Sequence, residues 1–100
     1  MTQEKEIQKK AEEMTEENGL DIEINEAYIN IVGLNYAEAE EAEEAYQGEW
    51  ASNKDFVQDL LKDTGEIPDL PFYIHIDWEG TARDIMMDYS EDNGHYFRNL

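Results

Sequence analysis

Ile7, Ala11 and Met14 stand at i, i+4 and i+7 in an otherwise polar run, which predicts a narrow-faced helix over residues 3–17. Asn18-Gly19 follows, a pair that ends helices because both residues tolerate left-handed backbone. The next five residues, LDIEI, alternate apolar and polar and fit a short strand. Asn25 is then an N-cap candidate for a helix through AYINIV, closed by Gly33. Asn35 is placed to cap a helix over 36–46 in which Ala39, Ala42, Ala45 and Tyr46 share one face. Gly48 is expected to break that helix.

The pattern then broadens. Ser52 is an N-cap candidate for a helix over 53–64 whose apolar face is Phe56, Val57, Leu60 and Leu61, with Gly65 as terminator. EIPDLP reads as a loop. Asp77 is expected to cap a last helix over 78–88, buried through Trp78, Ala82, Ile85 and Met86. Asn93-Gly94 sits where a two-residue hairpin turn prefers it. The fold class expected is mainly α (α+β): several short helices and a small C-terminal β-hairpin under an acidic surface. Trp50, Trp78, Tyr46 and Phe56 are expected in the core, and His75 on a loop or half-buried.

Charge changes this picture more than any motif does. The chain of 100 residues holds 26 acids against 7 bases, a formal net of −19. Solubility of a small domain needs a magnitude of only about 2–8. The excess repels itself in the compact state, so it asks for a use. Residues 11–53 hold thirteen acids and no base, and five glutamates fall within Glu38–Glu44. That sign excludes a basic nucleic-acid footprint and an anionic membrane surface. Partners should be cationic. No apolar leader and no long apolar window stands in the sequence, so a cytoplasmic location is expected.

Candidate chemistry is thin. With 26 carboxylates, a pair such as Asp77 and Glu79 comes close by chance, and His75 and His95 have neither triad nor ligand spacing. DYSEDNGHYFRN departs from a calcium loop, with glycine at its seventh position and Asn99 at its twelfth. There is no cysteine. Neither an enzyme, a cofactor nor a metal is expected.

Five glutamates over seven helical residues, at a rise of about 1.5 Å each, give roughly one charge per 2 Å. Duplex DNA presents about one per 1.7 Å of axis. The densities are close enough for a rigid acidic surface to occupy a DNA-binding groove. The bland alternative is a solvated acidic face, or an adaptor for a basic protein.

Three segments carry a resemblance: EEAYQGEWASNKDFVQDLL, YIHIDWEGTARDIMMDY and the terminal GHYFRNL. Together they resemble the ArdA antirestriction family over about residues 26–100, its C-terminal part. The resemblance implies an elongated homodimer that imitates DNA and occupies the groove of a type I restriction–modification enzyme. It also implies carriage by a phage, plasmid or other mobile genetic element in a bacterial host. A CRISPR effector or another DNA-binding defence protein is the alternative target. Residues 1–25, with Lys5, Lys9 and Lys10, are expected to form an amphipathic helix and connector where the family normally has a further domain.

The target-binding face expected is Glu38, Glu40, Glu41, Glu43, Glu44 and Glu49, with the row Asp55, Asp59 and Asp63. Met87, opposite Ile85 and Met86 on its helix, is the candidate dimer contact. Lys54, Lys62, Arg83 and Arg98 are expected to pair within the chain. At DNA's spacing of about 1.7 Å, the charge of two such chains corresponds to roughly 65 Å of duplex.

Overall fold

The computed structural model describes residues 2–99, and side chains from residue 3. In chain order the elements are α1 (Thr2–Asn18), α2 (Ile22–Val32), α3 (Ala39–Ala45), β1 (Tyr46–Glu49), α4 (Asn53–Asp63) and α5 (Trp78–Ile85). A 3-10 turn (Met86–Asp88), β2 (Tyr89–Asp92) and β3 (His95–Arg98) follow. The class is mainly α with a small antiparallel sheet, as the periodicity predicts. The sheet has a third strand that the pattern did not reveal: its order is β1-β3-β2.

β3 organises the molecule because a strand alternates its side chains between two faces. Phe97 points into a core built from Ala11 and Met14 of α1, Ile24, Ala27, Tyr28 and Ile29 of α2, and the alanines of α3. Its neighbour Tyr96 points into a second core with Phe56 and Val57 of α4 and Ala82 of α5. Phe56 stacks on Tyr96 with ring centroids 4.5 Å apart, and Tyr28 meets Phe97 at 5.1 Å. Three helices therefore cover one face of the strand and two cover the other. Phe56 is fully buried, whereas Trp50, Trp78 and Tyr46 are half-buried at the edges of these cores.

Several local readings change once packing is counted. LDIEI is no strand. Its isoleucines belong to α2, where Ile24, Ala27 and Tyr28 form an i, i+3, i+4 stripe facing the first core. Asn25 is not a cap, because Asp21 holds that position. Asn25 is instead wholly buried and hydrogen-bonded to Thr15 and Asn18 of α1. The helix start expected near Asn35 falls later, at Ala39 with Glu38 as N-cap. Tyr36 and Ala37 donate their amides back to the Gly33 carbonyl, and Ala37 is buried. Lys10 Nζ also donates to the Leu34 carbonyl, which holds this turn against α1. The last helix is α5 only to Ile85, then tightens into the 3-10 turn.

Gly48 does not end α3, which stops at Ala45 as Tyr46 enters the ladder with β3. The pairing runs Tyr46 to Phe97 and Gly48 to Tyr96, so Gln47 is an extra residue, a bulge. Gly48 at φ 133° lies where other residues are strained, and an added Cβ would meet the Trp50 ring at 3.0 Å. The hairpin turn forms as the sequence predicts. Asn93 and Gly94 have φ 51° and 84°, the left-handed pair of a tight two-residue turn.

Candidate functional site

α3 places its residues by a simple division. Ala39, Ala42 and Ala45 are buried against α1 and α2, because a methyl side chain lets the helices approach closely. Glu38, Glu40, Glu43 and Glu44 are left exposed. Glu41 is half-buried and lies with Tyr28, Tyr36 and Arg98 around a shallow cavity of about 300 Å³. Burial pushes the Tyr28 phenol above its usual range, and the adjacent charge of Glu41 adds to the effect.

The run gains little from its own helix. A helix C-terminus favours cations, yet the last turns of α1, α2 and α3 contain no base. Glu16 and Glu17, and Glu43 and Glu44, sit at that unfavourable end. Each such charge is worth about 0.3–1 kcal/mol in the wrong direction at low salt. Among the described residues only Glu44 of this run finds a cation, Arg98 of β3 at 3.7 Å, and that pair is largely exposed. Such surface pairs contribute about 0–1 kcal/mol, so local stability does not account for the charge.

Packing also brings in acids that linear reading passed over. α1 lies against α3, and a shallow groove of about 370 Å³ between them is lined by Glu13 and Glu17 on one side and Glu38 and Glu40 on the other. Lys10 stands at its edge. The available signal was the i, i+4 spacing of Glu13 and Glu17, which gives them one helix face.

The second row has a different setting. Asp55, Asp59 and Asp63 are exposed along α4, which packs on the other face of β3. The two acidic rows are thus carried by different layers. Ser52 caps α4 by accepting from the Asp55 amide at 3.1 Å. Asp59 accepts a hydrogen bond from Trp50 Nε1 at 2.5 Å, so it has a structural task besides its charge. Asp63 ends the helix beside Lys62.

Glu49 is exposed at the end of β1, with a carboxylate oxygen 3.8 Å from Nε2 of the buried His95. The other ring nitrogen of His95 is 3.1 Å from the Tyr46 hydroxyl. Burial pushes the Tyr46 phenol up, with Glu49 and Asp21 adding to it. His75 is exposed on the connection between α4 and α5. Met87 is 78% exposed. Of the four later bases, only Arg98 pairs with an acid among the described residues. Lys54, Lys62 and Arg83 do not, against expectation, because they point to solvent from α4 and α5.

The molecule is long, 54 × 24 × 20 Å. Its net charge of −19 therefore averages about one per 2.8 Å of long axis, sparser than the roughly 1.7 Å of duplex DNA. The scale of 65 Å for two chains assumed DNA's spacing throughout and is too short for two such bodies set end to end.

The chain is thus an elongated, strongly anionic protein with its glutamates presented from a packed helix. The sequence model of the antirestriction protein family, ArdA, matches residues 1–97, and the chain belongs to that family. The match begins at residue 1, so it takes in α1 and α2 as well as the region from residue 26 onward. The boundary expected at residues 25 and 26 falls inside α2, between residues that pack into the same core. No curated protein and no solved structure matches the chain. No helix among the described residues is long and apolar enough to cross a membrane.

Proposed function

We propose that this antirestriction protein acts as a DNA mimic, occupying the DNA-binding groove of a type I restriction–modification complex in the bacterial cytoplasm. The observation that carries this reading is the exposed acidic cluster where α1 meets α3, on a rod 54 Å long. At about 3.4 Å per base pair, one chain is as long as roughly 16 base pairs. Glu38, Glu40, Glu43 and Glu44 would take the place of phosphates, joined by Glu13 and Glu17 from α1. The carboxylates of α4 extend the anionic surface around the rod. Lysines and arginines of the groove would meet fixed charges that need no ordering on binding.

Family membership supports inhibition of restriction, and the charge distribution supports the route. A homodimer would cover more of a long groove than one chain does. The decisive experiment titrates target complex, inhibitor and labelled duplex together. Inhibition by mimicry requires that duplex and inhibitor displace each other. A ternary complex that holds DNA at unchanged affinity would rule mimicry out and favour an acidic adaptor. Replacing Glu38, Glu40, Glu43 and Glu44 together with glutamine should cost far more potency than any one change, because binding through a charge field is spread over many groups. The same titration against a CRISPR effector tests the alternative target.

A further inference from the structure

Tyr36 is 75% exposed, although the turn that carries it is firmly held. Its amide donates to the Gly33 carbonyl at 3.1 Å, and the next residue, Ala37, is buried. A Cβ on Gly33 would stand 3.5 Å from Tyr36 Cδ2, so the ring lies against bare backbone. A single exposed ring is ordinary on a protein surface. What sets this one apart is the cavity of about 300 Å³ that it walls. Tyr28 and Phe97, with ring centroids 5.1 Å apart, are buried and form the floor, and Tyr36 stands at the mouth.

Glu41 is half-buried at the side of this cavity and makes no ion pair among the described residues. Burial first, and then the charges of Glu41 and Glu38, push the Tyr28 phenol up, so both carboxylates act on the cavity. Arg98 also lines it, but its guanidinium is 3.7 Å from Glu44. Shape and charge together select an occupant. Sites for small molecules span about 300–1,000 Å³, so this one suits a single side chain better than a nucleotide. A phosphate or carboxylate would face Glu38 and Glu41. A purely apolar group would cover Glu41 without a counter-charge. A planar cation satisfies both walls, stacking its face on a tyrosine ring and donating two parallel hydrogen bonds to a carboxylate. Lysine has neither the flat face nor the fork.

We infer that the cavity between α2, α3 and β3 receives one arginine side chain of the target's groove, its guanidinium stacked on Tyr36 and paired with Glu41. The contact deepens the proposed function and rests on that reading for the identity of the partner. The preference for a guanidinium belongs to the cavity itself. Such a contact supplies what a field of separate carboxylates lacks: a fixed point that sets the register of the rod in the groove and concentrates affinity on two residues. Arg98 opposes it, because a second guanidinium must approach the first. Pairing with Glu44 limits that cost.

The test has two arms. In the first, the full chain is titrated with N-acetylarginine amide and, separately, with N-acetyllysine amide, and the ring signals of Tyr28 and Tyr36 are followed by NMR. Both compounds carry one positive charge, so general attraction to the net −19 cancels between them. The arginine compound should bind at least fivefold more tightly and shift Tyr36 most. Tyr36→Ser and Glu41→Gln should each abolish that preference, and Tyr36→Phe should keep it. Equal affinity for the two compounds, or shifts that spare Tyr36, overturns the inference. The second arm is displacement of labelled duplex from the target complex. Tyr36→Ser, which alters no charge, should cost at least tenfold in potency with an unchanged far-UV circular dichroism spectrum. Glu41→Gln should cost at least three times as much as Glu43→Gln, which removes the same charge. A loss under twofold for Tyr36→Ser, with the wild type still displacing duplex, overturns the arginine contact and leaves mimicry standing. A wild type that selects arginine yet fails to displace duplex overturns mimicry alone.

Discussion

Asn25→Ala should loosen the attachment of the acidic helix without touching a single charge. Asn25 is completely buried. Its amide donates to Thr15 Oγ1 at 3.0 Å and to Asn18 Oδ1 at 3.2 Å, and its carbonyl accepts from Asn18 Nδ2 at 2.9 Å. Asn18 Nδ2 also donates to the Ala39 carbonyl at 3.0 Å, at the first residue of α3. The network therefore ties α1, α2 and the start of α3 together. Three hydrogen bonds at a net of about 1 kcal/mol each set the scale at roughly 3 kcal/mol. Thr15 and Asn18 are only half-buried, so water recovers part of their loss, and the expected cost is about 2–3 kcal/mol. With a urea slope near 1 kcal/mol per molar for so small a domain, the unfolding midpoint should fall by about 2–3 M. Urea titration followed by circular dichroism measures it, and Asn25→Asp gives a control of equal shape. The aspartate buries a charge and turns an acceptor toward Asn18 Oδ1, so it should destabilise more than alanine at neutral pH and recover as acid protonates it. A midpoint shift under about 0.3 M for alanine, at unchanged slope, would refute the role assigned to the network.

Three further outcomes follow from the geometry. Gly94→Ala should cost about 1–2 kcal/mol in thermal unfolding, because residue 94 has φ 84° and its Cβ would stand 3.3 Å from the Trp50 carbonyl. Asp59→Ala should lose about 1 kcal/mol and red-shift the Trp50 fluorescence, whereas Asp59→Asn should keep most of the hydrogen bond at one charge fewer. Tyr28, Tyr46 and Tyr96 have phenols raised by burial first and by nearby carboxylates second. A phenol raised in the folded state keeps its proton longer there than in the unfolded chain. Stability from these three is thus present below the ordinary tyrosine value of 10.0 and is lost as pH rises past it. Alkaline denaturation with tyrosinate absorbance as readout checks this, and Tyr28→Phe should shift the transition to higher pH.

The sequence by itself determined what acts locally along the chain. Apolar residues three and four apart place α1, α4 and α5, Ser52 and Asp77 cap their helices as their side chains allow, and Asn93-Gly94 makes the turn its backbone preferences permit. Net charge and its base-free central span are properties of composition, and the segments around Tyr46–Trp50 and Ile76–Tyr89 already indicate the family. Tertiary structure decided the rest, because the deciding contacts join residues far apart in the chain. LDIEI alternates like a strand, but five residues of alternation yield to the stripe of Ile24, Ala27 and Tyr28 once a core exists to bury it. Asn25 has the chemistry of a cap and was drawn instead into a buried network spanning α1 to α3. YQGE carries no strand signature strong enough to announce itself, and it becomes β1 only because β3, some fifty residues later, offers unpaired amides and carbonyls. The meeting of Glu13 and Glu17 with Glu38 and Glu40 has the same origin: alanines on α3 and Ala11 on α1 permit a close approach that no single helix encodes.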